Sequence, residues 1–280
     1  MTLTRTITVA AGVFAPGHLG ELTWQVPFEL ADCVLADALA AGRRLRDLPS
    51  RTGLYFVLAL GLFPQLGYLN VWRKLTAALE GLPGVPSPSA KALRDLRRRV
   101  GAGPLRALFE VLAGPAAQPS TPGVRFGRYR TVSFDGCNSV KVPDTARNRA
   151  WLGRVRHRKG FAGYPLVHLM ALAETGTRGL LGAAIGAAGG GEPALARRLL
   201  HLLGPGMLVL MDRAFDAAGF LAAVAGTGAQ FLARVKSSRV LLPGQVLPDG
   251  SYLSDLGGLR VRVIEAGACQ MVCVTRSLFR

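Results

Sequence analysis

Two stretches of the chain decide its fold: Arg130-Thr-Val-Ser-Phe-Asp135-Gly-Cys137 and Met207-Leu-Val-Leu-Met-Asp212-Arg-Ala-Phe215. Each is an apolar run of the length of a buried strand, and each ends on one aspartate. Taken singly, an aspartate at a strand end is usually a turn or cap residue. Two in this order within a basic region favour a shared site for a hard divalent cation, bound through oxygen. Such a site suits metal-assisted attack on a phosphodiester.

Strands alternate with helices around these two runs. Strands are predicted at 130–134, 165–173, 179–185, 207–211 and 230–235, with helices at 193–203 and 217–225. This layout predicts an α/β domain with both antiparallel and parallel strand pairs. Short strands and turns then predict a β-rich insertion from about residue 237.

Residues 1–116 have a different pattern, which predicts an all-helical N-terminal domain. Its helices are expected at 27–39, 54–63, 68–79, from a cap at Ser89 to Val100, and at 105–112. The uncharged stretch 52–72 contains Pro64, which predicts two packed core helices, because a membrane span needs ~20 predominantly apolar residues. The proline-rich segment 117–124 predicts a linker, and 125–280 a second domain.

The last two helices of the N-terminal domain form a candidate DNA-binding face. The first carries Arg94, Arg97 and Arg98, and a glycine turn separates it from the second. Two short helices around such a turn resemble a helix-turn-helix. Solvated arginines on any exposed helix would give the same pattern, so both interpretations stay open.

The charge balance favours a polyanionic partner. The chain has 34 Lys plus Arg against 17 Asp plus Glu, a net charge of +17, and the usual polyanion for such a field is nucleic acid. A GC-rich genome also enriches arginine, so local clustering is more informative. Only Asp135 and Asp144 oppose the basic residues between Arg125 and Lys159. The residues of this cluster expected to contact DNA are Arg147, Arg149, Arg154, Arg156, Arg158 and Lys159; a solvated loop is the alternative.

The cysteines and the N-terminus argue against several other classes of protein. Cys33, Cys137, Cys269 and Cys273 form no Cys-x-x-Cys pair and have no histidine nearby in sequence, so neither a zinc site nor a disulfide framework is expected. The N-terminus lacks a basic region followed by a sustained apolar core. These features predict a cytoplasmic protein with no membrane partner.

The most specific motifs are Asp135-Gly-Cys-Asn-Ser-Val-Lys-Val-Pro143-Asp144-Thr-Ala-Arg-Asn148-Arg-Ala-Trp-Leu-Gly153 and Leu210-Met-Asp212-Arg213-Ala-Phe215. They resemble the two aspartate boxes of the DDE transposases of bacterial insertion sequences, specifically the IS-four group with its helical N-terminal domain. The resemblance covers essentially the whole chain. Cys137 and Ala214 depart from the commoner Thr and Gly, and neither departure removes a ligand.

The resemblance implies a ribonuclease-H-like mixed sheet with a β-rich insertion, and a DNA transposase that cleaves transposon ends and transfers the strands. Asp135 and Asp212 would be catalytic ligands of Mg²⁺ or Mn²⁺, and Arg213 a DNA contact. The expected partners are transposon-end and target DNA, with a homodimer forming on the DNA.

The family's third metal ligand, a glutamate on a helix after the β insertion, has no counterpart that the sequence reveals. Four other acids, Asp216, Asp249, Asp255 and Glu265, are each better explained structurally, Asp216 as a helix cap. We therefore expect a truncated copy with weakened metal binding and no strand cleavage. The alternatives are a DNA-binding remnant and a regulatory DNA-binding protein that uses the helix near Arg97.

Overall fold

The protein is described here by a computed structural model. It covers residues 19–38, 48–79, 85–118, 120–154, 156–157, 160–161, 163–187, 191–267 and 269–274. The chain divides into two compact units, Met1–Leu112 and Ala113–Arg280. The predicted linker 117–124 follows this division and lies in the second unit. Within the described ranges, no helix is long and apolar enough to cross a membrane.

The first unit is helical. Its helices are α1 (Leu19–Gln25), α2 (Phe28–Ala38), α3 (Ser50–Leu62), α4 (Tyr68–Thr76), α5 (Ala90–Val100) and α6 (Gly103–Leu112). A 3₁₀ turn over Ala77–Leu79 extends α4. The predicted cap of α5 is confirmed, because the Ser89 hydroxyl accepts a hydrogen bond from the amide of Ala92 at 3.2 Å.

The uncharged stretch around Pro64 forms two packed core helices, as predicted. Phe56 of α3 makes edge-on ring contacts with Tyr68 and Trp72 of α4, at centroid distances of 5.8 and 6.1 Å. Tyr55 is buried beside them and donates its hydroxyl proton to the carbonyl of Val26 at 2.6 Å. Burial raises the pKa of Tyr55 to about 12. The whole stretch is therefore core rather than lipid-facing.

The apolar face of α5 packs on α3, and this orients its arginines. A Cβ on Gly53 of α3 would lie 2.6 Å from Val100 and 2.8 Å from Leu96, so only glycine allows the two helices to approach this closely. Leu93, Leu96 and Val100 are buried. The arginines at 94, 97 and 98 consequently lie on the exposed side of α5.

The second unit contains strands β1 (Arg125–Phe126), β2 (Tyr129–Lys141), β3 (Arg156–His157), β4 (Gly160–Phe161), β5 (Leu166–Glu174), β6 (Leu180–Gly186), β7 (Met207–Met211), β8 (Gln230–Arg234), β9 (Tyr252–Leu256), β10 (Leu259–Ala266) and β11 (Cys269–Val274). Its helices are α7 (Ala146–Leu152), α8 (Gly191–Arg197) and α9 (Ala218–Gly226). The helix predicted at 193–203 starts two residues earlier and ends at Arg197, and a 3₁₀ turn over Leu200–Leu202 follows it.

The main sheet has the strand order β6-β5-β2-β7-β8-β11-β10-β9. β2 is antiparallel to β5 and parallel to β7, which is parallel to β8. Three antiparallel strands followed by two helix-linked parallel strands make a ribonuclease-H-like mixed sheet, as predicted. The β-rich segment after residue 237 extends this same sheet, because β11 pairs with β8.

The core of the second unit lies on one face of this sheet and is closed by aromatic side chains. Phe134 of β2, Phe215 and Phe220 of α9 have ring centroids 5.4 to 5.9 Å apart. Val132 on β2 and Val209 on β7 are buried in the same core. Because side chains alternate along a strand, the residue after Phe134 points away from this core.

We expect Leu221→Ala to lower the free energy of unfolding by about 2–5 kcal/mol, because the α9 side chain is fully buried and its loss leaves a cavity. The matched control is Leu242→Ala, since Leu242 is 76 % exposed; its effect should stay within about 0.5 kcal/mol. Urea unfolding measures both. Equal losses for the two variants would contradict the assignment of α9 to the core.

Candidate active site

The pairing of β2 with β7 brings the two aspartates together. The parallel register runs from Arg130↔Met207 to Ser133↔Leu210. Asp135 and Asp212 stand two residues further along each strand, at matching positions on neighbouring strands, which are about 4.8 Å apart. Both residues are exposed. The two carboxylates therefore lie at one place on the sheet, although their role as metal ligands stays a prediction.

The turn after Asp212 is held against the first strand. The Asp212 carboxylate accepts a hydrogen bond from the amide of Ala214 at 2.9 Å and so caps a 3₁₀ turn. Phe215, the last residue of that turn, packs on Phe134 at 5.7 Å between centroids. Phe134 directly precedes Asp135. The aromatic residue of the second motif thus ties the second aspartate's turn to the strand that carries the first.

Asp216 does not cap α9, contrary to the sequence-based expectation. The residue that begins α9 is Ala217, which makes no side-chain cap. Asp216 is 2 % exposed, and its carboxylate accepts the amide of Lys236 at 3.1 Å and pairs with the ammonium of Lys236 at 3.1 Å and Arg239 at 3.5 Å. The sequence could not reveal this, because the partners lie beyond a helix and a strand.

Two opposing effects act on the pKa of Asp216. Burial alone would raise the pKa, but hydrogen bonds from Lys236 and the charge of Arg239 outweigh burial and hold it below the ordinary value. The carboxylate therefore stays charged, and it fastens the segment after β8 to the turn that follows Asp212.

Basic side chains line two neighbouring pockets next to Asp212. One, of about 400 Å³, is bordered by Asp212, Arg213, Lys236 and Ser237 among others. The other, of about 460 Å³, shares Arg213 and Ser237 and adds Arg234, Arg239 and Glu265. Sequence reasoning assigned no contact to Arg234, Lys236 or Arg239, although the alternating Arg-x-Lys at the end of β8 was a usable signal.

Asp144 holds two of the arginines that were expected to contact DNA. Its two oxygens accept from the guanidinium of Arg149 at 2.6 and 2.7 Å, and one of them also accepts from Arg154 at 2.7 Å. The hydrogen bonds from Arg149 lower the pKa of Asp144, although slight desolvation opposes them. Part of the charge of this segment is therefore neutralised internally.

The remainder of the same motif builds α7, a helix that the sequence-based prediction missed. Thr145 caps it by accepting the amide of Asn148 at 3.2 Å, and the Asn148 side chain donates to the carbonyl of Pro143 at 2.9 Å. The helix exposes Arg147 and Trp151, one helical turn apart. The Pro-Asp and Asn of the motif are thus explained by local folding.

The other predicted DNA contacts are distributed as follows. Arg213 lies exposed in the turn after Asp212. Arg156 is described only as backbone of β3, and Arg158 and Lys159 lie outside the described residues. In the first unit, α5 packs against α3 and α4, while α6 packs against α2. The helix-turn-helix assignment of α5 and α6 stays a prediction.

The arginines of α5 have partners within their own unit. The guanidinium of Arg97 lies 5.8 Å over the ring of Tyr68, and Arg98 is 3.7 Å from Asp95. Both contacts are on the surface, where they compete weakly with an external anion. Arg94 is exposed one turn before Arg98. This helix face therefore remains available to a polyanion.

The donor set at the aspartate pair fits a hard divalent ion. Among the described residues, no three Asp, Glu, His or Cys side chains form a group that could hold a metal by themselves. Mg²⁺ is commonly held by one or two carboxylates together with water and substrate phosphates. Two exposed carboxylates at one edge of a basic cleft meet that requirement.

The strand order and the paired aspartates define the ribonuclease-H-like catalytic class. The family model for the transposase DDE domain matches residues 129–269, and the one for the insertion element 4 transposase N-terminal domain matches residues 16–110. The chain belongs to the DDE transposases of the insertion element 4 family. The predicted family is thereby confirmed, and its members use divalent metal ions.

Solved structures resemble the chain only distantly. The piggyBac transposase in its synaptic complex with hairpin DNA is 10 % identical, with 88 % of this chain and 56 % of that chain covered and a TM-score of 0.41. Endonuclease V from Streptomyces avermitilis is 13 % identical, with 55 % and 68 % covered and a TM-score of 0.27. The present chain thus spans 56 % of the length of the piggyBac chain. No curated protein matches it.

We expect the stabilising effect of Asp216 to be lost in acid. Its folded-state pKa is depressed, so its contribution is complete above the ordinary Asp pKa of about 3.9 and disappears as the pH falls through the folded value. Asp216→Asn should therefore be less stable than the wild type at pH 7 and should converge with it in acid. Urea unfolding across this pH range measures the difference.

The control is Asp255→Asn, because Asp255 is exposed and accepts only a backbone amide, that of Gly258. Its stability should follow the wild type at every pH. A stability deficit of Asp216→Asn that persisted unchanged into strong acid would contradict the charged role.

Proposed function

We propose that this protein is a DNA transposase, which cleaves the phosphodiester backbone at the ends of a mobile element and joins those ends to target DNA. The observation that carries the proposal is the matching position of Asp135 and Asp212 on neighbouring parallel strands. Membership of the DDE transposase family supports the same conclusion. Mg²⁺ is the proposed ion, with Mn²⁺ as its laboratory substitute.

The reaction consists of two displacements at phosphorus. In the first, a water oxygen bonds to the phosphorus at the transposon end, the bond to the 3′ oxygen breaks, and a 3′ hydroxyl is released. In the second, that hydroxyl attacks a target phosphodiester and displaces another 3′ oxygen. A bound divalent ion would supply a stronger nucleophile and stabilise the leaving oxygen. The contribution of Asp135 and Asp212 is to offer carboxylate oxygens at a spacing fixed by the sheet.

The basic cleft beside Asp212 would position the DNA backbone. Arg213, Arg234 and Lys236 border it, and contacts of this type bind phosphates with little regard to base sequence. Asp216 fixes two of the cleft's segments relative to each other. The cleft therefore offers an ordered set of cations next to the carboxylates. Exposed Arg147 of α7 would extend the DNA contact further along the duplex.

Two copies would act on one element, because it has two ends and each cleavage needs an active site. We therefore propose a homodimer that forms on the DNA, in keeping with the two-fold symmetry of most homo-oligomers.

We expect the purified chain to nick DNA that carries the element's ends when Mn²⁺ or Mg²⁺ is added. Asp135→Asn and Asp212→Asn should each lower the rate by at least about a thousandfold, since the metal contributes several kcal/mol and each ~1.4 kcal/mol is a factor of ten. Asp255→Asn is the control and should cleave normally. Supercoiled plasmid with the cloned ends reports the nicking.

The same assay separates the alternatives. A wild-type chain that binds the ends in Ca²⁺ but cuts nothing in Mn²⁺ would support a DNA-binding remnant, as the missing family glutamate predicts. Equal cleavage by the wild type and both aspartate variants would overturn the assigned site.

We expect Arg147→Ala to weaken DNA binding in a salt-dependent way. Arg147 is exposed, so each phosphate contact it makes contributes about 0.9 to the slope of log affinity against log salt. Arg149→Ala is the matched control, because Arg149 already pairs with Asp144 and should change the slope less. Fluorescence anisotropy between about 50 and 200 mM salt measures both slopes; equal slopes for the two variants would refute the distinction.

A further inference from the structure

The carboxylate of Glu192 lies against the residue that follows Asp135. A Cβ built on Gly136 would lie 2.6 Å from the Oε1 atom of Glu192 and 2.9 Å from its Cδ. These distances are too short for any side chain at position 136, so the missing Cβ makes a cradle that the carboxylate fills. A third acidic group is thereby brought next to the strand position of the first aspartate.

The packing of α8 fixes this placement. Leu195 and Ala196 are buried, and α8 packs on β5 and β6. Leu195 approaches β6 so closely that a Cβ on Gly186 would lie 2.8 Å from it. Gly191, with φ of +68°, makes the turn directly before Glu192. The position of Glu192 thus follows from packed backbone at both ends of its segment.

The acids of the second unit differ in how their charge is compensated. Four carboxylates form ion pairs with arginine or lysine, namely those of Asp144, Glu174, Asp216 and Asp249. Among the described residues, Asp135 and Glu192 have neither a hydrogen-bond nor an ion-pair partner. In a chain of net charge +17, two neighbouring carboxylates without a cation form an unbalanced negative spot. Like charges at such a spot repel each other, and a cation between them removes the repulsion.

We propose that Glu192 is a metal ligand of the transposase site and shares a divalent cation with Asp135. This inference rests on the proposed function, in which Asp135 and Asp212 are already ligands. Asp135 would then belong to two carboxylate pairs, one across the sheet with Asp212 and one across Gly136 with Glu192. Mg²⁺ requires no more than one or two carboxylates if water and DNA phosphates complete its shell. No single group of three carboxylates is needed, and phosphoryl-transfer sites commonly use two ions.

Direct binding of Mn²⁺ to the full chain without DNA tests the proposal. Isothermal titration calorimetry should show at least about tenfold weaker binding for Glu192→Gln, since even outer-shell partners of a metal are worth 10- to 100-fold. Asp135→Asn should lose more. The matched control is Glu265→Gln, because that glutamate lies in the same unit and bonds only to Gln270 among the described residues. Its Mn²⁺ affinity should equal that of the wild type.

A second variant tests the cradle itself. Gly136→Ala leaves every carboxylate in place but displaces Glu192, so it should weaken Mn²⁺ binding in the wild-type background. In a Glu192→Ala background the same change should weaken it no further. Circular dichroism of each variant verifies that the fold is retained.

The outcomes distinguish the two levels of inference. Wild-type Mn²⁺ affinity in Glu192→Gln, together with weakened binding in Asp135→Asn, would overturn the role of Glu192 and leave the proposed function intact. Wild-type affinity in Asp135→Asn would overturn both.

Discussion

The parallel pairing of β2 with β7 is the interaction on which the active site depends. It joins two strands that are far apart in sequence, and its register sets Asp135 beside Asp212. The same register puts Val132 opposite Val209 in the core, so a slip by one residue would expose the apolar face and also separate the carboxylates. Core packing and catalytic geometry are therefore determined by one choice of register. Phe215 reinforces it, because its ring packs on Phe134 and holds the turn that Asp212 caps.

The sign and the pairing of charges divide the acidic residues into two groups. Asp144 and Asp216 are compensated by basic side chains, and each fixes a basic segment: α7 with the residues after it, and the segment that follows β8. Asp135 and Glu192 have no such partner among the described residues. In a strongly basic chain the first group orders the cations that would face DNA. The second group supplies the negative charge that a divalent ion would need, and the two functions do not compete because different acids perform them.

Close approach at glycines determines how the layers of both units meet. Gly53 admits the apolar face of α5 to α3, Gly186 admits Leu195 to β6, and Gly136 admits the carboxylate of Glu192 to β2. In the first two cases the space is filled by hydrocarbon, which is ordinary core packing. In the third it is filled by a charged group. Packing of hydrocarbon needs no ligand, whereas a carboxylate placed beside another carboxylate is stabilised by a cation.

The sequence by itself determined the elements, because their signals are local. Alternating and helical periodicities gave the strands β2, β5, β6, β7 and β8, the helices of the first unit and the cap at Ser89. The order of elements and the family motifs also predicted the ribonuclease-H-like sheet. Only the tertiary structure decided that Asp216 binds Lys236 instead of capping α9, and that Glu192 reaches Gly136. Those contacts join residues with no periodic relation in the chain, and they depend on how closely α8, the turn after Asp212 and the sheet pack together, which is a property of the assembled core rather than of any segment.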